Sequence, residues 1–459
     1  QFPDIYGINP FGIPESEPPK RKAQARQLKA YLLIFEQIMA NFLAQLQNIS
    51  RLYSLDKTWD RSYFCQWLDN DLVPRVEELY RQNGMRPEEG AERIMQKYDN
   101  FEDRRNRFLD YLLALYGERF FQNSLRHFNY YFTPDEIGKE LIKNKIVFLT
   151  HIVDLSAKRA GGFNYQETSW NTINVSGLKM KVSILLGLPY FHNRSLTIPF
   201  TKHGLKLISD DQFARFKECA LELQFVNLSD VEDQIIEEFD VIPYDPSSAM
   251  IDHQRIRALF QEIVPMKNNV LNESFLRYGV NLDRYRLGSL TSDKNFQMVF
   301  QPYEDAQWHY LASYGNKQKA IQSVNLLRRF LINLNIASEG FHIVEHILLR
   351  PLGKKRHENP AIPDDFYPFK ISVVFPSWTA RFYNKKFRML AEETVRINSP
   401  AHIYPEFHWL DFEKMLQFEI LYEDWLTQKC KPQEEDTLVL DGLSEKLAAF
   451  LVASASDGA

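Results

Sequence analysis

The sequence predicts a multidomain, mainly α-helical protein with a small antiparallel β insertion and a C-terminal α+β module. Three observations predict it. Leu28, Leu32, Phe35, Met39, Phe42, Leu46, Ile49 and Tyr53 recur at alternating spacings of four and three, the period of one long helix with an apolar seam. YRLGSL, FQMVFQ and WHYLASY alternate with a period of two, as half-buried strands do. Beyond residue 368 the pattern runs strand, helix, strand, helix, the order of helices packed on one face of a sheet. A chain of 459 residues exceeds what one core can organise, so several domains are expected.

Residues 1–22 carry five prolines and two glycines and read as an extended N-terminal arm. The region 23–245 reads as helical. Its first helix spans roughly 45 Å through Tyr53 and is an interface candidate, within the chain's own bundle or with a partner helix. Helices are expected at 62–83 and at 101–132, the latter with Phe101, Phe108, Leu112, Leu115 and Phe120 near one side, and at 134–158 behind a Thr133 cap. Gly161 and Gly162 lack the spacing of a phosphate loop and read as a turn. Gly177–Leu188 is a short apolar helix, followed by an acidic helix-like stretch to about 242 whose carboxylates Glu232, Asp233, Glu237 and Glu238 read as a solvated face. The region 246–352 holds a helix at about 250–275, the small sheet, a helix at 319–335 lined by Ile321, Val324, Leu327, Leu331 and Leu334, and the apolar FHIVEHILLRPL, read as a helix. A Pro-rich linker at 353–368 leads to the C-terminal module at 369–459. There FKISVVF and the segment near AHIYPEFHW are strands, and NKKFRMLAEETVRIN, DFEKMLQFEILYEDWL and 438–451 are helices.

One pattern could carry bond chemistry. His342, Glu345 and His346 form H-x-x-E-H, in which two histidines on one helix side hold zinc and the glutamate activates water, with Glu392 or Glu393 available as a third ligand. The apolar residues around the pattern favour the other reading, a buried helix whose histidines donate to backbone carbonyls or to Glu345 and so fix its docking. His402 and His408 would share one side of a strand if Pro405 did not break it. No serine sits in a nucleophile elbow, and Cys65, Cys219 and Cys430 have no partner at a meaningful spacing. The three scattered cysteines argue against a disulfide framework. A net charge of -5 without a basic run argues against nucleic acid as a partner, and no apolar run is long enough for a transmembrane segment. Aromatic residues make up 14% of the chain, which suits extensive contact surfaces or a densely filled core. The chain starts at QFPDIYGINP without an initiator Met or a signal-like apolar core, as expected of a portion of a longer subunit.

Five phrases together carry a family resemblance: RQLKAYLLIFEQIMANFLAQLQNI at 26–49, VSGLKMKVSILLGLP at 175–189, FHIVEHILLRPL at 341–352, FKISVVFPSWTARFYNKKFRMLAEETVRINSPAHI at 369–403 and WLDFEKMLQFEILYEDWL at 409–426. In this order the chain resembles a baseplate wedge protein of extracellular contractile injection systems, phage-tail-like particles, and is similar to contractile phage baseplate wedge proteins. The resemblance implies a structural protein, not an enzyme, without cofactor. It would link the central hub and spike to the sheath and transmit the contraction trigger in a hexameric assembly, six wedges closing around the hub. The implied partners are other baseplate wedge proteins, the hub and spike, and sheath or sheath-adaptor proteins. The implied place of assembly is a bacterial cytoplasm, in a contractile particle that is then released or membrane-associated. The helix from Leu28 to Tyr53 would join a wedge bundle with a sister wedge protein, and residues 369–425 would form a contact domain. The alternatives are a zinc-dependent hydrolase built on His342, Glu345 and His346, and a soluble helical adaptor.

Overall fold

The structure, a computed structural model, describes residues 3–54, 61–80, 87–119, 126–132, 134–167, 174–210, 234–237, 263, 269–290, 295–302, 309–353, 362–363, 365–431 and 437–456. It is mostly helical, with antiparallel and mixed sheets, in a multidomain architecture. Its contacts separate a smaller unit, residues 1–120 with 138–149, from a larger one, residues 121–137 with 150–459. The sequence-derived boundaries at 245, 352 and 368 all fall inside the larger unit.

In the smaller unit the N-terminal arm is a run of tight turns rather than an extended segment. A 3-10 turn at Asp4–Tyr6 ends on Gly7 at φ 64°, the Asn9 side chain caps Gly12, and Arg21 and Lys22 hold the carbonyls of Ile5 and Glu15. Helix α1, Pro19–Gln47, starts on a proline, whose missing N–H costs nothing at a first turn. It closes where Asn48 donates its side chain to the Ala44 carbonyl; a 3-10 turn, Ile49–Tyr53, follows, so the last two seam positions leave the α-helix. The helix expected over 62–83 is absent from its described part: residues 61–80 are irregular apart from a 3-10 turn at Val76–Leu79, and 81–83 lie outside the described residues. Local carboxylates compete for its backbone. Asp99 takes the N–H groups of Ser62 and Tyr63, Asp69 takes those of Asp71 and Leu72, and Pro74 precedes Arg75 at φ 59°.

Helices α2, Pro87–Tyr98, and α3, Phe101–Leu115, follow. α3 stops well short of 132 because Gly117 takes a left-handed conformation, and it buries Leu109 and Leu113 while Leu115 faces solvent. Helix α4, Pro134–Thr150, supplies Ile142 and Ile146 to a small core with Leu109. Lys145 of α4 is buried against Asp110 and Asn106 of α3, and Arg105 binds the carbonyls of Leu52 and Ser54.

The larger unit opens with helices α5, Ile152–Ala157, α6, Gly177–Leu185, and α7, Ile198–Thr201. Gly161 lies in a turn, its N–H bonded to the Lys158 carbonyl. Strand β1, Lys206–Ile208, pairs in parallel with β3, Val270–Asn272, so the helix expected at 250–275 gives way to a strand where it is described, and helix α8, Glu273–Tyr278, begins only after it. The acidic helix expected up to 242 is contradicted at β2, Gln234–Glu237, the outer strand of an antiparallel sheet with β4, Tyr285–Leu290, β5, Phe296–Phe300, and β6, His309–Tyr314. Glu232, Asp233 and Glu238 lie outside the described residues.

Helix α9, Lys317–Ser338, buries Val324, Leu327, Phe330, Leu331 and Leu334. The helix expected at 341–352 is instead strand β7, His342–Glu345, and a 3-10 turn, His346–Leu349. β7 pairs antiparallel with β8, Lys370–Pro376, placing Ile343 opposite Val373. Helices α10, Ala380–Tyr383, and α11, Lys385–Asn398, carry the chain across to β9, Tyr404–Leu410, which runs parallel to β8. Pro405 does not break β9: it sits opposite Ile371 on an outer strand, where a proline is tolerated. Helices α12, Phe412–Lys429, and α13, Thr437–Ser456, complete the unit. Helices cover both faces of this sheet rather than one. Ile371, Val373 and Phe375 pack with Val182, Phe387 and Val395, while Val344 and Val374 belong to a core with Leu331, Phe418 and Leu447. The segment read as a linker contributes too, since Phe366 is buried on the His346 ring.

Candidate functional site

Because successive side chains of a strand point to opposite faces, His342 and Glu345 diverge, and His346 lies in the following turn. The shared helix side that zinc binding requires is therefore missing. His342 is buried, and its Nε2 lies 3.0 Å from Glu419 Oε1 on α12. Glu419 also accepts from the Ser195 hydroxyl at 2.6 Å, from the Thr197 hydroxyl, and from the Leu196 and Thr197 N–H groups. Burial pushes the Glu419 carboxyl up, but the hydrogen bonds it accepts from His342, Ser195 and Thr197 outweigh it and hold the group below the usual carboxylate range. His342 moves down because burial outweighs the glutamate's pull, so it is a neutral donor to an ionised acceptor.

Glu345 accepts from the Tyr165 hydroxyl at 3.2 Å, and burial raises its pKa. His346 lies 2.7 Å from the Phe366 carbonyl through Nδ1 and 2.7 Å from Ser372 Oγ through Nε2. Ser372 Oγ is 2.9 Å from His408 Nε2, and His408 Nδ1 is 2.8 Å from Ser454 Oγ. A carbonyl only accepts, so His346 carries its hydrogen on Nδ1 and its Nε2 accepts from Ser372. The Ser372 oxygen then accepts from His408 Nε2, while the Ser454 hydroxyl beside His408 Nδ1 also donates to the Leu451 carbonyl. Burial lowers the pKa of each imidazole, that of His408 to about 4. The chain ties the turn after β7 to β8, β9 and α13.

A second buried cluster had no sequence signal. Glu339, at the end of α9, accepts from the Tyr131 hydroxyl and from Arg381, while Arg194 reaches the carbonyls of Ala337 and Glu339. Lys179 on α6 donates to Asn193, and burial, reinforced by the nearby Arg194, pushes its pKa down to about 7. Glu392 accepts from the Trp409 indole N–H and pairs with Arg396, and Glu393 is exposed, so neither joins the histidines. His402 is exposed and packs on Phe369, away from His408. Among the described residues no three His, Cys, Asp or Glu side chains converge as metal ligands would. Ser195, Ser372 and Glu419 are seen only once the fold juxtaposes residues far apart in sequence.

The seam of α1 presents the other candidate site. Leu28 and Leu32 are half-buried, whereas Phe35, Met39, Phe42, Leu46, Ile49 and Tyr53 are exposed. Tyr53 also stacks on Phe108 of α3. The helix rests on its unit through its polar side: Gln37 and Gln45 donate to the carbonyls of Gln66 and Phe64, Lys29 reaches the Pro74 carbonyl, and Ala44 is its only buried side chain. Tyr31, Ile34, Ile38 and Leu43 widen the exposed apolar side. Among the described residues, no helix is long and apolar enough to cross a membrane. Compared with known families and curated proteins, the chain matches no family model and no curated protein.

Proposed function

We propose that this chain is a structural component of the baseplate wedge of a contractile injection system, linking a central hub and spike to the sheath and passing on the contraction trigger without bond chemistry. The observation that carries the reading is α1, a helix docked by its polar side that turns its apolar side to solvent. A face of that kind is stable only where other chains cover it. The H-x-x-E-H side chains support the same reading, because each is engaged with protein groups that orient the sheet. Four of the five resembling phrases build the enclosed core of the larger unit, and the fifth is α1.

Its partners would be other wedge proteins, the hub and spike, and sheath or sheath-adaptor proteins, six wedges around the hub, assembled in a bacterial cytoplasm. Triggering requires interfaces with two arrangements of similar free energy, one of which target contact favours. A helical adaptor with a single partner is the second reading, and the exposed α1 favours it as well. Image reconstruction of particles from producing cells, with and without this chain, separates the two. The wedge reading expects the chain in a ring between hub and sheath and no complete particles in its absence. Normal particles lacking the chain would overturn it.

A further inference from the structure

We propose that Lys179 and Asn193 join through their side chains in an isopeptide bond, made by the chain itself inside the larger unit. The two are in hydrogen-bond contact, the Lys179 amine donating to the Asn193 side-chain oxygen. Lys179 is 6% exposed and Asn193 8%, so little solvent competes for either group. The cross-link would span 14 residues, tying α6 to the turn that precedes α7.

The surroundings favour a free amine over an ammonium. An ammonium has three hydrogens to place, and the Asn193 oxygen is its one hydrogen-bond acceptor among the described residues. Lys179 is the third residue of α6, and the positive end of a helix disfavours a cation. Phe163, Tyr165 and Tyr422 wall the cavity beside it and keep bulk water away. Burial, reinforced by Arg194, accordingly brings the Lys179 pKa down to about 7, so at neutral pH a large share of chains carry the nucleophilic form.

The step balances without a co-reactant. Nζ attacks Asn193 Cγ, the Nζ–Cγ bond forms, the Cγ–Nδ2 bond breaks, and a proton passes from Nζ to Nδ2, which leaves as ammonia. That proton needs a carrier. Glu345 lines the same cavity, whose volume of about 20 Å³ has room for one water to relay it. Burial raises the Glu345 carboxyl toward the range in which it both takes and returns a proton. Glu419, the other acid acting on Lys179, is already held by His342, Ser195 and Thr197. The reaction runs once on the chain itself, turns over no substrate, and is independent of what the chain assembles with.

The test is a tryptic map of the full chain by tandem mass spectrometry. Trypsin should leave the bond after Lys179 uncut and release one branched peptide, 160–181 joined to 182–194, lighter by one ammonia than the two together. Lys179→Met and Asn193→Ala should each abolish it. In a time course after a short pulse of synthesis, Glu345→Gln should slow its appearance by about a hundredfold or more. Recovery of 160–179 and 182–194 from the unaltered chain as separate, unmodified peptides overturns the cross-link, as does a branched peptide that survives Asn193→Ala. Cross-linking of the Glu345→Gln chain at the unaltered rate overturns the role of Glu345.

Discussion

Helices α1 and α9 are both long and both carry apolar residues at helical spacing, yet they meet opposite environments. α9 buries its apolar side in the larger unit, with Val324, Leu327 and Leu331 fully enclosed, and uses a buried Asn335 to bridge the Leu276 and Leu331 carbonyls and the Ala380 N–H. α1 encloses only Ala44. Periodicity thus identifies a face but not what covers it. The flanking polar residues carry the missing information: those of α1 bind its own unit, leaving the apolar side exposed.

The contrast can be broken or sharpened by experiment. Glu419→Ala would leave His342, Ser195, Thr197 and the Leu196 N–H without their acceptor, and should cost about 3–5 kcal/mol in urea unfolding. A loss below about 1 kcal/mol would mean that the cluster does not anchor the larger unit. Leu331→Ala in α9 should cost about 2–5 kcal/mol by the same measurement. Acidification should act on the larger unit alone. The native pKa of His408 is about 4, below its ordinary value, so between about 6.5 and 4 the unfolded chain binds a proton that the native state does not. Stability then falls with falling pH, by about 3 kcal/mol over the whole window. All 11 histidines lie outside the smaller unit, so hydrogen exchange, corrected for intrinsic rate, should show opening at pH 4.5 confined to the larger one. The smallest effect belongs to α1: Phe42→Ala should change the stability of the isolated chain by no more than about 0.5 kcal/mol. A cost matching that of Leu331→Ala would show α1 to be a core helix.

Much of the fold was legible. α6, the strands β4, β5 and β6, α9, and the run from β8 to α13 follow periodicity and capping, with Asn316, Asn384 and Asp411 each capping a helix as their side chains allow. FHIVEHILLRPL was not legible, because a short apolar run fits strand and helix alike, and pairing with β8, decided by residues far along the chain, makes it a strand. Residues 62–80 failed for the opposite reason: local side-chain bonds from Asp69 and Asp99 override helix propensity. At the candidate site the histidines stand out in the sequence, but Glu419, Ser372 and Glu339 do not, since no spacing rule links residues that only the fold brings together.

The long reach of these bonds bears on synthesis. Tyr131 meets Glu339 across 208 residues, Ser195 meets Glu419 across 224, and Tyr130 meets Asn384 across 254, whereas Arg105 and Leu52 are only 53 apart. The larger unit can therefore close only after nearly all of the chain has left the ribosome. About 370 residues separate the end of α1 from Glu419, and at bacterial or slower elongation rates they take roughly 20–75 s to make. Through that interval α1 is already outside the ribosome with its apolar side uncovered, a period in which exposed hydrophobic surface favours aggregation.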